Sequence, residues 1–207
     1  MKVKLPYEWK DLTLGELQAY MLAIDDVERA SAMSGQTTDE VRNWSPSVME
    51  KTMTHIGKLM DAETFAFEKI ITVDGVEYGL IPDWGAFTLG EWVDANNAMQ
   101  DFWKNAHKLM AILYRPVEWR VKKQYGIASY TAKEDANKLK VIPAHYVSGA
   151  VVFFWSIGTQ LSNPTQPSSL GERVRNLLVS GTGITRFTSW LVKTYSRWMP
   201  SPKNQPK

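Results

Sequence analysis

The 207-residue chain contains no cysteine. That absence removes disulfides, thiolate nucleophiles and cysteine-based zinc sites together, and it suits a reducing compartment. Histidine is scarce as well. His55, His107 and His145 stand alone, without the i,i+2 or i,i+4 pairing that metal sites usually show, so each reads as a surface or boundary side chain. Long apolar runs are missing. The longest, Tyr146 to Ile157, would cross about 18 Å as a helix against a bilayer core of roughly 30 Å, and no transmembrane span is expected. The opening MKVKLPYEW has no apolar stretch behind its lysines and does not read as a signal peptide. Charge of one sign is not in excess: 24 Lys and Arg face 22 Asp and Glu, and a net +2 does not announce a nucleic-acid partner. A cytoplasmic, soluble chain is the expectation.

The signatures of several chemistries are absent too. There is no Gly-x-Ser-x-Gly elbow and no Gly-x-x-x-x-Gly-Lys-Ser/Thr loop. The adjacent carboxylates Asp25-Asp26 and Glu134-Asp135 would diverge by about 100° on a helix, which suits solvated surface charge better than a shared ion or substrate. Ser180-Gly181-Thr182-Gly183 lacks the lysine and the preceding strand of a phosphate loop and reads better as a hinge. Nothing assembles a nucleophile, a base and an oxyanion site. A non-enzyme is expected, with no cofactor and no metal.

What is present is a globular composition: 44% apolar, 22% charged and 12% aromatic residues. Thr13-Leu14-Gly15-Glu16 and Thr88-Leu89-Gly90-Glu91 are two copies of one helix-start signal. In each, the Thr hydroxyl can accept from the N3 amide while the Glu reaches back to the cap's N–H. The first predicts a helix from Thr13 to about Asp26, followed by a loop over Ser31–Asp39. Ser45-Pro46 restarts a helix that ends near Ala62. The period then changes to two, and Asp74-Gly75 between alternating runs predicts a hairpin near residues 65–81.

The second box opens a helix to about Met99, and another follows from Asp101 with Phe102, Ala106, Leu109, Met110 and Leu113 on one face. Arg115-Pro116 stops it, placing a cation at the helix's negative pole. A second, shorter hairpin is expected over Trp119–Val121 and Tyr125–Tyr130, and a short exposed helix over Thr131–Lys140. A helix from Pro143 to Leu161 is apolar nearly all round and belongs at the centre of the fold. The fold class expected is α+β, mainly α: a helical core domain over 1–161 built around that buried helix, with one or two small hairpins.

Beyond it, residues 162–171 (SNPTQPSSLG) read as a linker, 172–199 as a basic helical arm, and 200–207 as a disordered tail. Residues 171–207 hold seven Lys or Arg against one acid, the only strong charge asymmetry in the chain. Within Ile184–Trp198, Phe187, Trp190 and Trp198 share a helical face while Arg186, Lys193 and Arg197 lie largely elsewhere. These six are the candidate partner-binding residues. Such a helix suits a partner's acidic groove, a membrane surface or nucleic acid. It equally suits an aromatic stripe packed on the main domain with a solvated basic face.

One block carries a resemblance. Tyr78-Gly79-Leu80-Ile81-Pro82-Asp83, then Phe87-Thr88-Leu89-Gly90-Glu91-Trp92-Val93-Asp94, then His107-Lys108-Leu109-Met110-Ala111-Ile112-Leu113-Tyr114-Arg115-Pro116-Val117 resembles a family of small tailed-bacteriophage proteins described as tail-assembly chaperones or tail and virion proteins. The opening Leu5–Glu16 and the Val151–Trp155 run are also similar, so the likeness covers about residues 1–160. The resemblance implies a non-catalytic morphogenesis protein whose partners are other phage tail or virion proteins, with oligomerisation among its expected states. It would act in the host cytoplasm during assembly or remain in the virion, in the tail or neck. No functional residue set transfers from the family, and the basic arm has no counterpart in it.

Overall fold

The computed structural model describes residues 3–62, 68–83, 86–131, 135–147, 149–151 and 154. The chain divides into two compact units, Met1–Val147 and Ser148–Lys207. The expected linker, basic arm and tail lie outside the described residues.

The first unit opens with helices. A 3-10 turn at Trp9–Asp11 leads into α1 (Leu14–Leu22), and the Thr13–Glu16 capping box forms as the sequence predicts. α1 ends four residues earlier than expected. Asp25 accepts from the Glu28 amide and starts a separate helix, α2 (Asp26–Ser34). The predicted loop over Ser31–Asp39 is largely helical for the same kind of reason: Gly35 closes α2 with φ 69°, and Thr37 and Glu40 form a third capping box at the head of α3 (Thr38–Arg42). α4 (Pro46–Asp61) begins with proline at its first turn, although the Ser45 side chain makes no capping bond. Trp44, Val41 and Ala30 form a small core that Val27, Val48, Met49 and Met53 cover.

The two expected hairpins are one sheet. β1 (Ile70–Val73) and β2 (Val76–Leu80) join through Asp74-Gly75, both with positive φ (49° and 80°), as a two-residue hairpin turn favours. β3 (Tyr114–Val121) and β4 (Gln124–Ile127) form the other hairpin, and β2 pairs antiparallel with β3 through Tyr78–Pro116 and Leu80–Tyr114. The order is β1-β2-β3-β4, all antiparallel, with a bulge in β3 between Val117 and Trp119. Ile71, Val73, Tyr78, Leu80 and Tyr114 put the buried face of the sheet on one side. Gly79 faces the other way, leaving room for the Tyr125 ring, whose hydroxyl donates to the Leu80 carbonyl at 2.7 Å.

Between β2 and β3 run α5 (Leu89–Gln100) and α6 (Phe102–Leu113). The Thr88–Glu91 box forms at the head of α5. In α6, Phe102, Trp103, Ala106, His107, Leu109, Met110, Ile112 and Leu113 are all buried, so α6 is the central helix of the first unit. It packs against α1, α5 and a 3-10 turn over Ala136–Val141. That turn replaces the exposed helix expected over Thr131–Lys140, and Leu139 within it is buried.

Arg115 is not a helix-terminal cation. α6 passes directly into β3 at Tyr114, so Arg115 is a strand residue and is buried. A helix begins at Ala144, directly after Pro143 as expected. Ala144, Val147, Ala150, Val151 and Phe154 are buried. The remainder of the predicted Pro143–Leu161 helix lies outside the described residues.

Residues 9–17 and 139–147 have the same local form. Each is a 3-10 turn, one linking residue, a bridge residue and a helix start. The bridge residues, Thr13 and Pro143, pair antiparallel with each other. Leu14 N–H donates to the Ile142 carbonyl at 2.8 Å, and Ala144 N–H donates to the Leu12 carbonyl at 2.7 Å. The two corners thus satisfy each other's first-turn amides, which a helix start otherwise leaves without partners. The folded unit is an α+β domain, mainly helical.

Candidate functional site

Arg186, Phe187, Trp190, Lys193, Arg197 and Trp198 all lie outside the described residues. Three arrangements among the described residues remain as candidates, two of them polar and one apolar.

The first forms where α5 meets the sheet. The capping geometry at Thr88 turns the Glu91 carboxylate inward. Its Oε2 accepts from Thr88 N–H at 2.6 Å, and its Oε1 lies 2.9 Å from the Arg115 guanidinium. Glu91 and Arg115 are both buried, at 2% and 8% exposure. Nearby, Tyr130 donates to Asp94 Oδ2 at 2.6 Å, and burial together with that bond pushes the Tyr130 phenol well above its ordinary value. Both Glu91 oxygens are engaged and the Tyr130 proton is held, so the cluster fastens α5 to β3. Arg115 Nε has no hydrogen-bond partner among the described residues. The buried ion pair is the functional-looking feature that sequence reasoning missed. Its signal was faint: a second Thr-x-x-Glu box identical to the first gives no hint that one glutamate is half-buried and the other enclosed.

The second is at the α1–α6 contact. His107, expected at the surface or a boundary, is buried. Gln18 Nε2 donates to the Trp103 carbonyl at 2.5 Å and lies 3.1 Å from His107 Nδ1. An amide nitrogen is a donor, so Nδ1 accepts and the ring is neutral with its proton on Nε2. Burial lowers the His107 pKa, and the cations of Lys140 and Lys108 add to that effect. Lys104 and Lys108 are exposed on α6, but the 100° between positions 107 and 108 places His107 toward α1.

His145 is lowered likewise, by burial first, against an opposing hydrogen bond with the Trp9 backbone. His55 donates to the Pro6 carbonyl at 2.8 Å beside a shallow groove of about 370 Å³ lined by Glu50, Lys51, Thr54 and Lys58. Among the described residues no three His, Asp or Glu side chains gather as a metal would require. No described helix is long and apolar enough to cross a membrane.

The third arrangement is apolar and exposed. On α5, Leu89 is 78% exposed and Val93, one turn on, is 46% exposed. The other exposed positions of that helix are Gly90, Asn96, Asn97 and Gln100, so its outer face carries no charge. Its two acidic residues turn elsewhere, Glu91 to Arg115 and Asp94 to Tyr130. An uncharged helix face bearing two aliphatic side chains one turn apart is a form that protein partners recognise. Trp119 and Val121 on β3 are also exposed. No protein-family model matches the chain, and neither a curated protein nor a solved structure matches it.

Proposed function

We propose that the protein is a non-catalytic bacteriophage tail or virion assembly protein, chaperone-like or a minor structural component, that acts by binding other morphogenesis proteins. The outer face of α5 carries this reading. It lies inside the block that resembles the phage family, and it offers Leu89 and Val93 to a partner without a charge to oppose apolar contact.

Sedimentation of a native lysate of infected cells, with detection of this protein in every fraction, tests it. Travel with mature particles through a second purification identifies a virion component. Retention in slow fractions together with an unassembled tail protein identifies a chaperone. Sedimentation free of any tail or virion protein in all fractions overturns the proposal.

The charge of residues 171–207 favours a second reading, a nucleic-acid- or membrane-surface-binding module that uses the basic arm. Under it, affinity for nucleic acid collapses with added salt, and changing Arg186, Lys193 and Arg197 together to Glu abolishes binding. Salt-insensitive binding removes the nucleic-acid version.

A further inference from the structure

Among the described residues β4 is an edge strand of the sheet, and its surroundings suit pairing with another strand. The segment Gln124–Tyr130 reads QYGIASY and carries no charge, proline or bulge, three of the devices that protect an edge, although β4 itself is short. β3 covers one side of it. Ala128 N–H donates to the Pro116 carbonyl, so by antiparallel alternation the N–H groups of Tyr125 and Ile127 point away from β3. Those outward groups meet no partner among the described residues.

Beside this edge stands an unusual side chain. Trp119 is paired with Gly126, and a Cβ at position 126 would collide with the indole Nε1. The indole therefore lies across the β4 backbone, in the space a side chain at 126 would occupy, and still leaves Trp119 52% exposed. An added strand would find an apolar ledge already reaching over β4 toward it. The ledge continues into Val121, which is 60% exposed on the same face.

We propose that β4 is a self-association edge, and that two copies of this chain pair antiparallel through Gln124–Tyr130 to join their sheets across a two-fold axis. Charge selects the second copy as the occupant. An uncharged edge meets its own image without repulsion, and antiparallel pairing separates the two Lys122-Lys123 turns to opposite ends. Each lysine pair then faces the mate's far end, where Tyr130 holds the Asp94 carboxylate. The left-handed φ of 56° at Lys122, unfavourable for a non-glycine residue, keeps this turn tight and its lysines at the tip. The proposal stands independently of the phage role.

Sedimentation velocity on the purified full chain tests it. The wild-type chain is expected to show a concentration-dependent monomer–dimer equilibrium. Gln124 and Ser129 are exposed, so Q124K/S129K and Q124E/S129E leave the fold intact, which circular dichroism checks. Each double variant alone is expected to be at least tenfold weaker in self-association. An equimolar mixture of the two should recover dimers, since the two edges then carry charge of opposite sign. A wild-type chain that stays monomeric at every concentration overturns the proposal. So does a dimer that the lysine variant leaves unchanged.

Discussion

The corners at 9–17 and 139–147 share one form but almost no residues. Trp9, Leu12, Leu14 and Leu17 are buried in the first, and Leu139, Ile142, Ala144 and Val147 take the same places in the second. The first has Thr13 and Glu16 as a capping box, whereas the second has Pro143, which carries no capping side chain. Cap chemistry therefore does not decide the form. Four apolar positions at the same spacing, and a reciprocal pair of backbone bonds between the corners, are what they have in common. Proline fits the second corner because its missing N–H is at a helix start, where it would lack an intrahelical partner anyway. The converse lesson comes from Thr13–Glu16 and Thr88–Glu91. Identical residues form identical caps, yet only Glu91 becomes half of a buried ion pair.

The largest expected effect separates those two boxes. Glu91→Gln leaves the Arg115 charge buried without its partner and should destabilise the first unit by about 3–5 kcal/mol. Glu16→Gln keeps a side chain that a capping box accepts, and should change stability by no more than about 0.5 kcal/mol. Urea denaturation of the two variants checks the difference, and equal losses would mean that the ion pair contributes nothing beyond its cap.

Next come the matched positions of the two corners. Leu12 and Ile142 are 0% and 1% exposed, and truncating either to Ala should cost about 2–5 kcal/mol. A large loss at one and a negligible loss at the other, in the same denaturation measurement, would show that the corners are alike in shape only.

The third test uses pH. Position 145 in the second corner holds a histidine where the first has Gly15, and burial lowers the His145 and His107 pKa values. Their neutral forms are the folded forms, so the stability they contribute is present above the unfolded value of about 6.5 and is lost as pH falls through the lowered folded values. Each group sets a slope of at most about 1.4 kcal/mol per pH unit inside that window. Stability curves from pH 7.5 down to 5 should fall for the wild type and flatten for H107N/H145N.

The smallest effect contrasts the two box glycines. A Cβ on Gly15 would sit 3.3 Å from the Lys140 carbonyl oxygen, whereas on Gly90, among the described residues, it meets only Thr88 Oγ1 at 3.9 Å. Gly90→Ala should raise stability by about 0.5–1 kcal/mol, and Gly15→Ala should fail to do so because the other corner is in the way. Thermal melts of both resolve it.

Much of the local structure was legible because its causes are local. Thr13, Thr88, Ser45-Pro46 and Asp74-Gly75 mark starts and a turn through groups within three residues of each other. Gly35 and the Thr37–Glu40 box were equally local and pass for a loop only because the stretch is small and polar. What stayed hidden depends on distant partners. Arg115 reads as a helix-ending cation until β2 draws Tyr114 and Pro116 into a strand and Glu91 comes within 2.9 Å. His107 reads as a surface or boundary residue until Gln18, on another helix, meets it. Of the candidate surfaces, the outer face of α5 was not visible in the sequence, because Leu89 and Val93 look like core residues until the fold leaves them outside.

The sequence by itself determined where helices begin, where the chain turns and that the fold is mainly helical, since capping, turn geometry and apolar period act between near neighbours. Only the tertiary structure decided that two hairpins make one sheet, that two dissimilar corners clasp, and which carboxylate of two identical boxes is buried. Those outcomes depend on backbone bonds and charges that meet across scores of residues, and chain spacing alone does not encode such meetings.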